Sequence, residues 1–232
     1  MTRDDAIDEC ARTRKGDGMR KIFVLPLAGL LALTVAAPAM AGPNVSNTSG
    51  SLALAQGGWK SWDDATQSSS YGEFTVARED NGDVFAQVMT STAAYVQCTG
   101  QGTPDDPDDD TFGAIGSNLY GYGPASLTID KNYGSATAAG TLEAGRETFN
   151  DCTGEHGWED VSSVDFTLAL TASSGTIRET GRGSFKIPGE FNGHSSYKAI
   201  YRYAEGTLAL DGGTNEVYGQ VGKVSWTDHS NG

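Results

Sequence analysis

Apolar and polar residues alternate with a period of two along most of the chain after Ser51, and the alternation is clearest over Val161–Ala172. There Val164, Phe166, Leu168 and Leu170 fall on one parity, and Ser163, Asp165, Thr167 and Ala169 on the other. Successive side chains of a strand point to opposite faces, so this segment predicts a half-buried β-strand. A second signal is Asn81-Gly82, set between two runs rich in β-branched and aromatic residues over Tyr71–Cys98. Such a dipeptide favours a two-residue hairpin turn, because both central residues need positive φ. In that register Phe74, Val76, Phe85 and Met89 share one face, while Thr75, Ala77, Val84, Ala86 and Val88 share the other. The larger residues make the first face the expected core side. The length of the second run predicts a bend or bulge near Ser91-Thr92.

Other strands are expected at Ser51–Gln56, Phe112–Tyr122, Ala125–Ile129, Ser135–Leu142, Thr176–Lys186, Ser196–Leu210 and Glu216–Thr227. Turns are expected at Lys131–Gly134, Ile187–Glu190 and Asp211–Asn215, where Gly, Asn and Pro cluster. No stretch after residue 41 carries helical periodicity. The expectation is an all-β protein: an antiparallel β-sandwich or barrel-like single domain of about nine to eleven strands. An outer-membrane barrel of about eight strands fits the length, but polar residues occur on both parities of several runs, which argues against it.

The N-terminus changes the picture. Residues 1–18 are polar and of mixed charge, and read as a leader or a start-site artefact upstream of Met19. Met19-Arg20-Lys21, an apolar run to about Ala37 and Ala39-Met40-Ala41 then form the charged, apolar and small-residue parts of an export signal over 19–41. Cleavage after Ala41 leaves a flexible lead-in at 42–50 and one β domain at 51–232. The compartment is then secreted or periplasmic, in a bacterial style of export. The whole chain has a net charge of −14. Residues 1–41 hold six basic and five acidic residues, so the remainder carries ten against twenty-five, a charge of −15. Such a charge disfavours nucleic acid and anionic membranes as partners. With Cys10 in the leader, the mature chain has only Cys98 and Cys152, which predicts one disulfide.

Candidate chemistry is sparse. The chain lacks Gly-x-Ser-x-Gly, His-Glu-x-x-His and a phosphate-binding Gly-rich loop, and its three histidines are scattered. The segment after Cys98 carries Asp105, Asp106, Asp108, Asp109 and Asp110. These carboxylates are candidate Ca²⁺ ligands, since Ca²⁺ takes six to eight oxygens, but the pattern is not an EF-hand and a solvated acidic loop competes with this reading. No cofactor is otherwise called for. Trp59 and Trp62, expected in a loop, and Tyr120 and Tyr122 are candidate ligand-binding aromatics, because such rings stack on sugar or peptide faces. His156 and Trp158 are expected in a Gly-rich loop over 153–160. These features favour an exported, non-catalytic binding or adhesion module with a glycan or surface-protein partner and no membrane span in the mature chain. The alternatives are a secreted polysaccharide hydrolase using paired carboxylates and a structural, self-assembling surface protein.

Overall fold

A computed structural model describes residues 45–98, 111–187 and 191–231. They lie within the compact unit Gly42–Gly232. Their regular structure consists of nine strands: β1 (Val45–Asp63), β2 (Ser68–Glu79), β3 (Val84–Cys98), β4 (Thr111–Ile129), β5 (Ser135–Asn150), β6 (Glu155–Ala172), β7 (Ile177–Ile187), β8 (Phe191–Leu210) and β9 (Gly213–Asn231). All pairings are antiparallel, and the all-β expectation holds. The strands are longer than the sequence pattern suggested. β1 alone takes in Val45–Gly50, expected as lead-in, and the Trp59–Trp62 stretch, expected as loop.

Neighbouring strands pair in sequence order from β1 to β6, then β6 with β8, β8 with β9 and β9 with β1. These pairings close the sheet into a ring of eight strands, an up-and-down barrel that leaves few exposed edges. β7 lies beside the other half of β8, opposite Phe191–Tyr201, while β6 lies opposite Ala204–Leu210. Between them Ser173 donates its N–H to the Tyr203 carbonyl, and the Ser174 hydroxyl accepts the Tyr203 N–H. β6 and β7 therefore act as one interrupted stave.

The core fills the middle of the barrel. Val76, Val88, Leu142, Val164, Phe166, Leu208, Val217 and Val221 are each at most 2% exposed. Along β6 the inward set is Val164, Phe166, Leu168 and Leu170, as expected, and the outward residues Asp165, Thr167 and Thr171 are exposed. That order is the reverse of a lipid-facing barrel stave, which is apolar outside. No helix among the described residues is long and apolar enough to cross a membrane.

The hairpin at Asn81-Gly82 forms with a different register. Gly82 has φ +94° but Asn81 is not in the left-handed region. The Gly82 N–H bonds the Glu79 carbonyl, and the Glu79 N–H bonds Asp83. This is the turn-plus-glycine-bulge form of hairpin, one residue longer than the expected turn. Val76 consequently pairs with Ala86 and Phe74 with Val88. A one-residue slip moves every side chain to the opposite face. The core face is Phe74, Val76, Ala86 and Val88, not Phe85 and Met89, which are only partly buried. β3 also runs past Ser91-Thr92 in unbroken register with both neighbours, so no bulge interrupts it there.

Cys98 and Cys152 are bonded, with Cα atoms 5.2 Å apart. The link ties the end of β3 to the β5–β6 turn. Asp105, Asp106, Asp108, Asp109 and Asp110 lie outside the described residues.

Candidate functional site

Two local devices set an aromatic surface on the outer wall of the barrel. The first is a bulge. Leu142 pairs with Val164 but Ala144 pairs with Val161, so β6 carries one residue more than β5 across this step. Below the bulge the even-numbered residues of β6 face the core. Above it the parity inverts, and Trp158 and Asp160 face outward. Without the extra residue, Trp158 would share the inward face of Val164 and Phe166.

The second device is Gly145. A Cβ there would lie 2.2 Å from the Trp158 ring, so the absence of a side chain lets the indole lie down on the sheet. The indole N–H donates to the Asp160 carboxylate at 3.0 Å. Its ring stacks on Tyr120, with centroids 6.2 Å apart and planes 22° from parallel. Tyr122 follows two residues along β4, on the same face. Trp158 and Tyr122 are 62% and 63% exposed, and Tyr120 is 39% exposed. Large aromatics held flat and open to solvent are uncommon, because burial of each ring would contribute to stability.

Carboxylates border this strip. Glu143 is the cross-strand partner of Tyr122, and Glu147 that of Trp158. Glu147 accepts from the Asn118 side-chain amide at 3.1 Å and lies 3.9 Å from the His156 ring. The strip therefore joins apolar ring faces to hydrogen-bond acceptors of negative charge.

The four aromatics singled out in the sequence are not brought together. Trp59 faces the barrel interior and is 6% exposed. Gly72 lies under it, where a Cβ would come within 2.1 Å of the ring. Its indole N–H is buried with no hydrogen-bond partner. Trp62, three residues on, has the opposite parity and is exposed. It donates to Asp64 at 2.6 Å and packs against Tyr95 at 5.5 Å. Only Tyr120 and Tyr122 share a surface, and beside them stands Trp158, expected in a Gly-rich loop over 153–160 but carried by β6, which already begins at Glu155. The signal available was Trp158-Glu159-Asp160 in a run with strand alternation, hidden by Gly154 and Gly157.

Among the described residues the barrel also opens at the end holding the β1–β2 and β5–β6 turns, where a cavity of about 860 Å³ is lined in part by Asp63 and Glu155. A carboxylate hydrolase would need two such carboxyls facing each other across a cleft, one of them able to donate a proton. However, Asp63 accepts from the Thr66 hydroxyl and the Ala65 N–H, both at 2.9 Å, which holds its carboxyl below its ordinary pKa. A carboxyl so held suits the ionised member of such a pair and not the proton donor. Among the described residues no group of three or more His, Cys, Asp or Glu side chains is placed to hold a metal ion. No family model, curated protein or solved structure matches this chain.

Proposed function

We propose that the protein is an exported, non-catalytic binding module that holds a glycan against its outer wall through Trp158, Tyr120 and Tyr122. The carrying observation is that Trp158 is fixed flat against the sheet while remaining mostly exposed. A ring already held in its binding orientation loses little entropy when a ligand stacks on it. A pyranose presents an apolar face of C–H groups for such stacking, and its equatorial hydroxyls can donate to bordering carboxylates. Glu143, Glu147 and Asp160 supply those acceptors. Their charge selects neutral or amine-bearing polysaccharides and repels uronate-rich ones. The export signal and the disulfide fit delivery to an oxidising compartment, where such glycans occur.

The test is binding of the mature protein to immobilised neutral, amino-sugar and uronate polysaccharides, compared with Trp158→Ala and Tyr122→Ala. Neutral or amine-bearing polymers are expected to retain the wild type, and each substitution to weaken retention. Equal retention of wild type and Trp158→Ala on every polymer would end this reading.

A further inference from the structure

We infer that the open end of the barrel is a second, separate site that takes a small uncharged polyhydroxylated molecule, such as a monosaccharide or cyclic polyol. The cavity there is about 860 Å³. Small-ligand sites commonly span some 300 to 1,000 Å³, and eight-stranded barrels are wide enough to hold one small ligand at a mouth.

The wall of this cavity is built in register. Ser61 pairs with Ser70, Ser70 with Thr92, Thr92 with Ser117 and Ser117 with Thr148, on five consecutive strands. All five line the cavity. Direct cross-strand partners point to the same face, so the five hydroxyls form one arc on the inner wall. The Thr92 and Ser117 hydroxyl oxygens lie 3.3 Å apart. Each hydroxyl can donate and accept, and rotates to suit its partner. An arc of that kind matches a ligand that is itself a ring of hydroxyls.

The chemistry of the wall also excludes. Neither Lys nor Arg lines the cavity, whereas Asp63 and Glu155 do. A phosphate or carboxylate ligand would thus meet two carboxylates, with His156 the one basic side chain among the described lining residues. Ile115 and Ala94 add apolar surface beside the hydroxyls, suited to the C–H edge of a sugar ring. Beneath the arc, two residues deeper on the same face of β1, buried Trp59 and its unpartnered N–H mark the transition to the packed core. The ligand therefore sits in the outer half of the barrel only.

The experiment titrates D-glucose, N-acetylglucosamine, myo-inositol and glucuronate into the mature protein, followed by calorimetry and saturation-transfer NMR. At least one neutral probe is expected to bind, and glucuronate to bind more weakly than glucose. Ser70→Leu with Thr92→Leu, which fills the cavity, should weaken the neutral probe by about tenfold or more. Ser117→Ala, a change too small to unfold the barrel, should weaken it measurably with unchanged melting temperature. Trp158→Ala should leave this binding intact, so a failure here and a failure of the outer strip are told apart. Absence of binding by all three neutral probes would overturn the inference. So would glucuronate binding as tightly as glucose, or binding indifferent to both cavity variants.

Discussion

Trp59 and Trp62 lie three residues apart on one strand, yet replacing them by Ala is expected to have very different consequences. Trp59 is 6% exposed and packs inside the barrel over Gly72. Removing a buried Trp side chain costs about 3 to 5 kcal/mol, as lost transfer energy plus the cavity left behind. The indole N–H has no partner, and an unmade hydrogen bond of a buried donor costs about 1 to 3 kcal/mol. Deleting that donor returns part of the loss, so Trp59→Ala should fall near 3 kcal/mol, the lower end of the range. For a domain of this size that lowers the melting temperature by roughly 10 °C. Trp59→Phe, which keeps an aromatic ring and removes the donor, should cost clearly less than Trp59→Ala. Trp62 is 46% exposed, with an exposed hydrogen bond to Asp64 and a tilted contact with Tyr95. Its replacement should cost under about 1 kcal/mol. Thermal and urea unfolding of the three variants decide the matter. Equal loss in Trp59→Ala and Trp62→Ala, or no loss in Trp59→Ala, would refute the placement of Trp59 in the core.

Replacing Cys98 and Cys152 by Ser opens a link between residues 54 apart, and chain entropy gives a loss of about 4 kcal/mol, measurable by urea unfolding of oxidised wild type against the double variant. Asp130 accepts the backbone N–H groups of Gly134 and Asn132 at 2.7 and 2.9 Å, which holds its carboxyl below the ordinary value. A carboxyl depressed by folding contributes its stability above its unfolded pKa, near pH 4, and loses it as pH falls through the folded value. Melting temperature should therefore decline on acidification below about pH 4, and less steeply in Asp130→Asn. Gly145→Val should displace the Trp158 ring, because any Cβ there meets the indole, and a change in the near-ultraviolet circular dichroism of tryptophan would register it. N-terminal sequencing of the exported protein is expected to begin at Gly42.

How far these features could be read in the sequence depended on how local their causes are. The inward set of β6 was legible because Val164, Phe166, Leu168 and Leu170 alternate without interruption and need only a period of two. The place of the β2–β3 turn was legible for a similar reason. Its register was not, because Asn-Gly serves both a two-residue turn and a glycine bulge, and the choice reverses Phe85 and Ala86. Closure of the barrel rests on β9 meeting β1 and β6 meeting β8, pairings between residues far apart in sequence. No local alternation encodes them. Glycines misled in another way. Gly57 and Gly145 lie past the ends of the strands expected at Ser51–Gln56 and Ser135–Leu142, yet fall within β1 and β5. A Cβ at Gly206 would stand 1.9 Å from the Ala169 carbonyl oxygen, so tight approach of strands is what requires glycine there. Trp158 was hidden by the same effect and by a bulge, whose parity change becomes visible only from the pairing with β5.

The most direct measurement is the affinity of the mature protein for a neutral or amino-sugar polysaccharide, by calorimetry, for the wild type and for Trp158→Ala. An exposed anchor contributes to binding and little to stability. We expect Trp158→Ala to melt within a few degrees of the wild type and to bind at least about tenfold more weakly, a loss on the order of 1.4 kcal/mol or more. A Trp158→Ala protein that folds normally and binds the polysaccharide as tightly as the wild type would contradict the assignment of the outer aromatic strip as the binding face.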